Sequence, residues 1–315
     1  MTQRRTLILT TTALSLFLLC AITTFAIQQQ PRPSTNAIKK TIKRLAPLHT
    51  KLGKPKEGEW LDNHKERGQT FAQYVRIRPN VLSAARNKLY VQPIGEFTDK
   101  QKELVTLSAE YLSLYFNCEV KTLETKSESI IPASAKRVHP TWGDHQLLTS
   151  HILEKVLIPS LPADAFATIA FTSSDLWPGD RWNFVFGYAS FRDRVGVWSI
   201  YRNGDPSAGD EEFKTCLRRT IKVATHETGH MFSMQHCIRY QCNMQGSNSL
   251  PESDTQPLML CPQCHAKILY ATGANPIERY KKLIAFCEKH GLDKEANSLS
   301  RAKEALESEK SNSKK

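Results

Sequence analysis

The chain has 315 residues, 40% hydrophobic and 23% charged, which is ordinary globular usage and enough to bury a core without help from disulfides. Its formal charge is +12 and its pI about 9.3. The Lys and Arg residues are spread along the chain rather than gathered in a stretch interleaved with aromatics, which argues against nucleic acid as a partner.

Arg4 and Arg5 precede an apolar run from Leu7 to Ala26 that holds no charge, the pattern of a secretory signal, with Thr24-Phe25-Ala26 as a tolerable cleavage site. The run is nearly long enough to span a bilayer, so residues 7–26 could instead stay as a membrane tether. Either way the mature part is expected to be exported: secreted, periplasmic or membrane-anchored. Residues 27–86, with Pro31, Pro33 and a basic stretch from Lys39 to Arg44, show little sustained periodicity and read as an N-terminal tether.

The compact part is expected to begin near Asn87. Leu89 to Ile94 reads as a strand that Pro93 places at an edge or an end. Thr98 and Gln101 form a capping-box pattern before a helix with Leu104, Leu107, Tyr111, Leu114 and Tyr115 inward. Glu119 to Leu123 is a short strand, and Asp144 is expected to cap a further helix. Phe166 to Thr172 reads as a buried strand. Phe184 to Ser190 and Val195 to Tyr201 read as a hairpin turning at Arg192-Asp193, and glycines at 187 and 196 mark close backbone approach or a bulge. A helix from about Glu211 to Ser233 follows, then a cysteine-rich stretch and two helices, Pro276 to His290 and Asp293 to Glu309.

The chemistry lies in the helix reading His226-Glu227-x-x-His230. Four residues on a helix turn through about 400° and rise about 6 Å, so both histidines can share one metal, while Glu227 points about 100° away. Glu227 is thus out of reach of the metal but in reach of a water on it, where it would act as general base; zinc acidifies such a water towards neutrality. Catalytic zinc needs a third protein ligand. His236 would lie about 9 Å beyond His230 if the helix ran on, so the chain must bend back near Ser233.

Cys237, Cys242, Cys261 and Cys264 form two close pairs separated by a loop, the spacing of a closed structural zinc site. In an oxidising compartment two disulfides are the alternative. Cys118, Cys216 and Cys287 read as buried thiols, with a Cys118–Cys216 bridge left open.

These residues resemble the archaemetzincin family of metallopeptidases. The match runs through His226, Glu227, His230, His236, Cys237, Cys242, Met244, Cys261 and Cys264, with likeness also in Trp182 to Gly187, Val195-Gly196-Val197, Met244 to Asn248 and Ile277 to Tyr280. It covers roughly residues 87–285. The resemblance implies an α+β fold: a twisted, mostly parallel mixed sheet with helices, an antiparallel edge strand over the cleft, and a small C-terminal subdomain bound to zinc. It also implies two Zn(2+) ions, one catalytic on the three histidines and one structural on the cysteines, with Glu227 as general base and Met244 as the Met-turn. Ser233 stands where the family has Gly. On this reading residues 1–26 are the signal or anchor, 27–86 the tether, 87–275 the catalytic domain with its cysteine site, and 276–315 a helical extension and tail.

The function expected is a zinc peptidase acting on peptides or proteins; the rival is a catalytically silent zinc module that binds peptides or other partners. One hairpin strand is expected to pair with an extended substrate by β-strand addition. Val195 to Tyr201 is favoured, with Gly196 admitting the substrate backbone and Val197 offering its amide.

Overall fold

The computed structural model describes residues 32–180 and 182–312; the expected signal or anchor, residues 1–26, lies outside the described residues. Eight strands follow in chain order: β1 (Lys88–Ile94), β2 (Glu119–Thr122), β3 (Lys136–Val138), β4 (His145–Leu148), β5 (Ala165–Thr172), β6 (Asp175–Trp177), β7 (Gly187–Ala189) and β8 (Val195–Ser199). The helices are α1 (Thr35–Leu45), α2 (Trp60–Asn63), α3 (Phe71–Arg76), α4 (Asp99–Phe116), α5 (Thr149–His151), α6 (Asp210–Met231), α7 (Leu250–Thr255), α8 (Pro262–Thr272), α9 (Pro276–Lys289) and α10 (Asp293–Asn312). No helix among the described residues is long and apolar enough to cross a membrane.

The main sheet has the order β2-β1-β5-β8-β7, parallel except for β7, which runs antiparallel to β8 at the edge. All eight residues of β5 are buried, as a central parallel strand covered on both faces requires. Pro93 stands one residue from the end of β1, and its carbonyl accepts from Lys126 at 3.0 Å. The capping box at Thr98 forms as expected, and α4 ends at Asn117 in the left-handed region. Three acidic residues, Asp210, Glu211 and Glu212, occupy the first turn of α6, where they offset the helix dipole. A smaller sheet, β3-β4-β6, stands beside the main one.

Three expectations need correction, and one open question is closed. Asp144 caps no helix: β4 follows it, and its carboxylate pairs with Arg202 at 3.0 Å. The bridge left open between Cys118 and Cys216 does not form: both are free and buried, as the default reading had it, and Cys216 Sγ donates to the Asn203 carbonyl. The hairpin forms, but β8 is its inner strand, paired with β5 on one side and β7 on the other. Gly196 and Val197 therefore have their backbone groups committed to the sheet and cannot receive substrate; β7 holds the free edge.

The third correction concerns residues 27–86. From residue 32 onward they are no tether: Ile38, Leu45, Phe71, Tyr74 and Leu82 are buried in the same apolar cluster as α4, α6 and the C-terminal helices. α1 lies against α8 and α10, and α3 against α8. Low periodicity hid this because the segment contributes isolated anchors, not a continuous face. Leu45→Ala removes a fully buried side chain. It should destabilise the whole protein by about 2–5 kcal/mol in denaturant unfolding; an unchanged midpoint would contradict the docking of α1.

Candidate active site

The last turn of α6 presents His226 and His230 on one face. Helical bonding then ends abruptly. The amides of Phe232 and Met234 both return to the Gly229 carbonyl, at 3.1 Å each, and Ser233 adopts φ 65°. A non-glycine residue there costs about 1–2 kcal/mol. Contacts from the N-terminal region offset that cost. The Asn80 amide donates to Ser233 Oγ at 3.1 Å, Asn80 Nδ2 to the Met231 carbonyl at 3.0 Å, and Tyr74 Oη to the Phe232 carbonyl at 2.7 Å. The serine thus builds the reversal, and His236 comes back to the helix.

The three histidines offer ring nitrogens that all lie within 4.8 Å of one another, with His226 Nε2 and His230 Nε2 3.0 Å apart. Each ring directs Nδ1 to an acceptor at 2.7 Å: the Asn243 carbonyl for His226, the Met234 carbonyl for His230 and Glu66 Oε1 for His236. Those bonds place the proton on Nδ1 and leave each Nε2 lone pair for a cation. Burial, then the neighbouring His236, holds His226 down to about 3, and burial holds His230 well below the usual histidine range. Converging, pre-oriented imidazoles suit zinc.

Glu227 faces the cleft beside them. Burial pushes its carboxyl up to about 8, and a bound dication would pull it back down. β7 passes directly over it: a Cβ on Gly187 would lie 2.8 Å from Glu227 Cγ. The glycine that weakens this strand therefore marks close approach to a side chain.

The cysteines form a second centre. All four are buried and unbridged, with their sulfurs within 4.8 Å of one another and Cys237 Sγ 3.7 Å from Cys261 Sγ. Tetrahedral zinc with bonds of about 2.3 Å places sulfurs ~3.8 Å apart, so the set fits one zinc rather than two disulfides. Cys242 Sγ accepts from the Cys261 amide at 3.2 Å and the Met244 amide at 3.5 Å. Crowding splits the thiols: hydrogen bonds from its three neighbours hold Cys237 far below the usual range, while burial pushes Cys242 far above it. Met244 sits beneath the histidine helix, its sulfur 2.7 Å from where a Cβ on Gly229 would be.

A cleft of about 640 Å³ opens over Glu227 and the histidines, walled by β7, Trp60, Trp182, Phe184, Phe191 and Asn248. Arg137 braces its rim by donating to the Trp182 and Asn183 carbonyls at 3.1 and 3.0 Å. Arg202, paired with buried Asp175 at 2.7 Å, stacks 3.9 Å from the Phe184 ring. Reading the sequence missed Glu66, Trp60 and Gly229. Gly229 could have been found, since a glycine between two ligands on a helix marks a close neighbour; Glu66 and Trp60 carry no such signal.

A family model described as Peptidase family M54 matches residues 159–269. Archaemetzincin-2 of Rattus norvegicus is 33% identical over 267 residues, covering 74% of this chain and 73% of that protein. Archaemetzincin-2 of Homo sapiens is 34% identical over 267 residues, covering 75% and 73%. Among solved structures, the archaemetzincin from Archaeoglobus fulgidus is 28% identical, with a TM-score of 0.46 over 57% of this chain and 99% of that one.

The contact between Gly229 and Met244 is testable. Gly229→Ala must displace the Met244 sulfur within a buried site. It should destabilise the fold by about 1–3 kcal/mol in urea unfolding and loosen zinc retention in chelator competition. A variant equal to the parent in both would mean that Met244 does not support the helix.

Proposed function

The chain belongs to the archaemetzincin family of zinc metallopeptidases, and from that premise we propose that His226, His230 and His236 hold its catalytic zinc, that Glu227 is the general base of peptide-bond hydrolysis, and that Cys237, Cys242, Cys261 and Cys264 hold a second, structural zinc. The observation that carries this is the convergence of three Nδ1-anchored imidazoles within 4.8 Å beside a carboxylate that faces the cleft. Bound zinc supplies Lewis acidity towards the scissile carbonyl and acidifies water. Glu227 takes a proton from the attacking water and returns it to the leaving amine. Its cramped position under Gly187 limits the carboxylate to few rotamers, which favours reproducible proton transfer.

The substrate lies along β7. The Ser199 amide donates to the Phe186 carbonyl at 2.9 Å and the Ser190 amide to the Val195 carbonyl at 2.8 Å. Even-numbered residues of β7 therefore bond inward to β8, and the amides and carbonyls of Gly187 and Ala189 point out over the cleft. An extended peptide adds there as a further strand, aligned by main-chain bonds.

Two experiments test this reading. Glu227→Gln should lower peptide hydrolysis by about 100- to 10,000-fold while the protein keeps two zinc ions per chain by metal analysis. Wild-type turnover would remove Glu227 from the mechanism, and a zinc content of one or none would overturn the two-site assignment. Ala189→Pro removes one outward amide without changing charge. It should raise KM by about tenfold, the loss of roughly one hydrogen bond, with zinc content and fold unchanged. Unaltered KM would place the substrate elsewhere.

A further inference from the structure

We propose that Glu66 is a positioning residue for the histidine site: its carboxylate fixes the His236 ring and strengthens its grip on zinc, so that docking of the N-terminal segment and zinc occupancy reinforce each other. The proposal rests on the reading of His236 as a zinc ligand.

The three imidazoles are not anchored alike. His226 and His230 meet main-chain carbonyls, and their orientation follows from α6 and the loops beneath it. His236 alone meets a carboxylate, Glu66 Oε1, at 2.7 Å from its Nδ1. It stands past the end of α6, so no helix holds its ring. A carboxylate accepting from the far nitrogen of a ligand fixes the tautomer, sets the ring plane and makes the imidazole a stronger donor. The pair is largely withdrawn from water, with side-chain exposures of 17% for His236 and 26% for Glu66. Low exposure strengthens a charge-assisted bond relative to the same bond at the surface.

The segment that carries Glu66 is held on both sides of it. Ahead of it, the Trp60 amide donates to Glu252 Oε1 at 2.9 Å, and the Trp60 ring meets the His236 ring edge-on at 5.2 Å between centroids. That ring fills the space beside Gly246, where a Cβ would lie only 2.4 Å from it. Beyond Glu66, Gly68 leaves no room for a side chain against Ile238. Gln69 Nε2 donates to the Ser233 carbonyl at 3.3 Å, and Gln69 Oε1 accepts from the Gln235 amide at 3.4 Å. Residues 60–69 thus grip the reversal between His230 and His236 from outside, and Glu66 is the group among them that bonds directly to a histidine of the centre.

Linkage is reciprocal. If the segment raises zinc affinity by a given factor, zinc stabilises the docked segment by the same factor. Zinc should then slow hydrogen exchange across residues 58–69 more than loss of flexibility at His236 alone would predict.

Glu66→Gln keeps the shape and an acceptor oxygen but removes the charge. Zinc affinity of the histidine site, measured by chelator competition, should fall about 10- to 100-fold, the cysteine-bound zinc should stay, and the melting temperature of the chelator-treated protein should match the parent. Zinc should also protect residues 58–69 from exchange in the parent and less so in the variant. An affinity within twofold of the parent overturns the proposal, as does a lowered melting temperature with unchanged affinity, which would make Glu66 a packing residue only. His236→Ala provides the separating control: if it binds catalytic zinc as tightly as the parent, the ligand assignment itself fails, independently of Glu66.

Discussion

Two histidines one turn apart on α6 face the same point, so everything else in the centre follows from how the chain brings the third to it. The reversal happens within three residues of Met231, at a serine held at φ 65°. Such a turn is strained and leaves the carbonyls at the end of α6 without helical partners. Tyr74, Asn80 and Gln69 satisfy the carbonyls of Phe232, Met231 and Ser233. The region before β1 is therefore packed where it is because the turn needs it there. The burial of Phe71 and Tyr74 in the main core keeps those donors in place.

The two centres share one stretch of backbone. His236 and Cys237 are neighbours, so one side chain enters the cleft while the next enters the cysteine cluster. Residues 242–244 join them again: Cys242 belongs to the cluster, the Asn243 carbonyl orients His226, and the Met244 carbonyl accepts from the Cys237 amide at 2.7 Å. Four buried thiols cannot ionise together without a cation to offset them. The cluster therefore orders the loop that aims His226, and its influence on the cleft runs through main-chain bonds.

The shared direction of His226 and His230 and the gathering of the four cysteines were legible in the sequence because local spacing dictates them: helical period for the histidines, paired short loops for the cysteines. The capping box at Thr98 and the buried run of β5 were legible for the same reason. The need for a bend before His236 was legible too, but not the residues that build it. What failed was non-local. Asp144 has the chemistry of a helix cap, but its partner Arg202 lies 58 residues away. Gly196 and Gly187 look alike as strand glycines; only sheet order, with β8 inside and β7 at the edge, separates a crowded residue from one that approaches Glu227. Glu66 meets His236 across 170 residues of chain, and a single carboxylate in a basic, aperiodic stretch carries no pattern.

A substrate strand added along the outward backbone of Gly187 and Ala189, as proposed, would set what such an enzyme can reach. Main-chain pairing does not discriminate among most side chains, but it requires several consecutive residues to be extended and to have unbonded amides. A segment locked in a helix, or already paired in its own sheet, presents neither. Selection then falls on the conformation of the target more than on its sequence. For a stable protein the rate of cleavage would follow the frequency of local opening, so the fold of the substrate, as much as the cleft, would decide which bonds are cut.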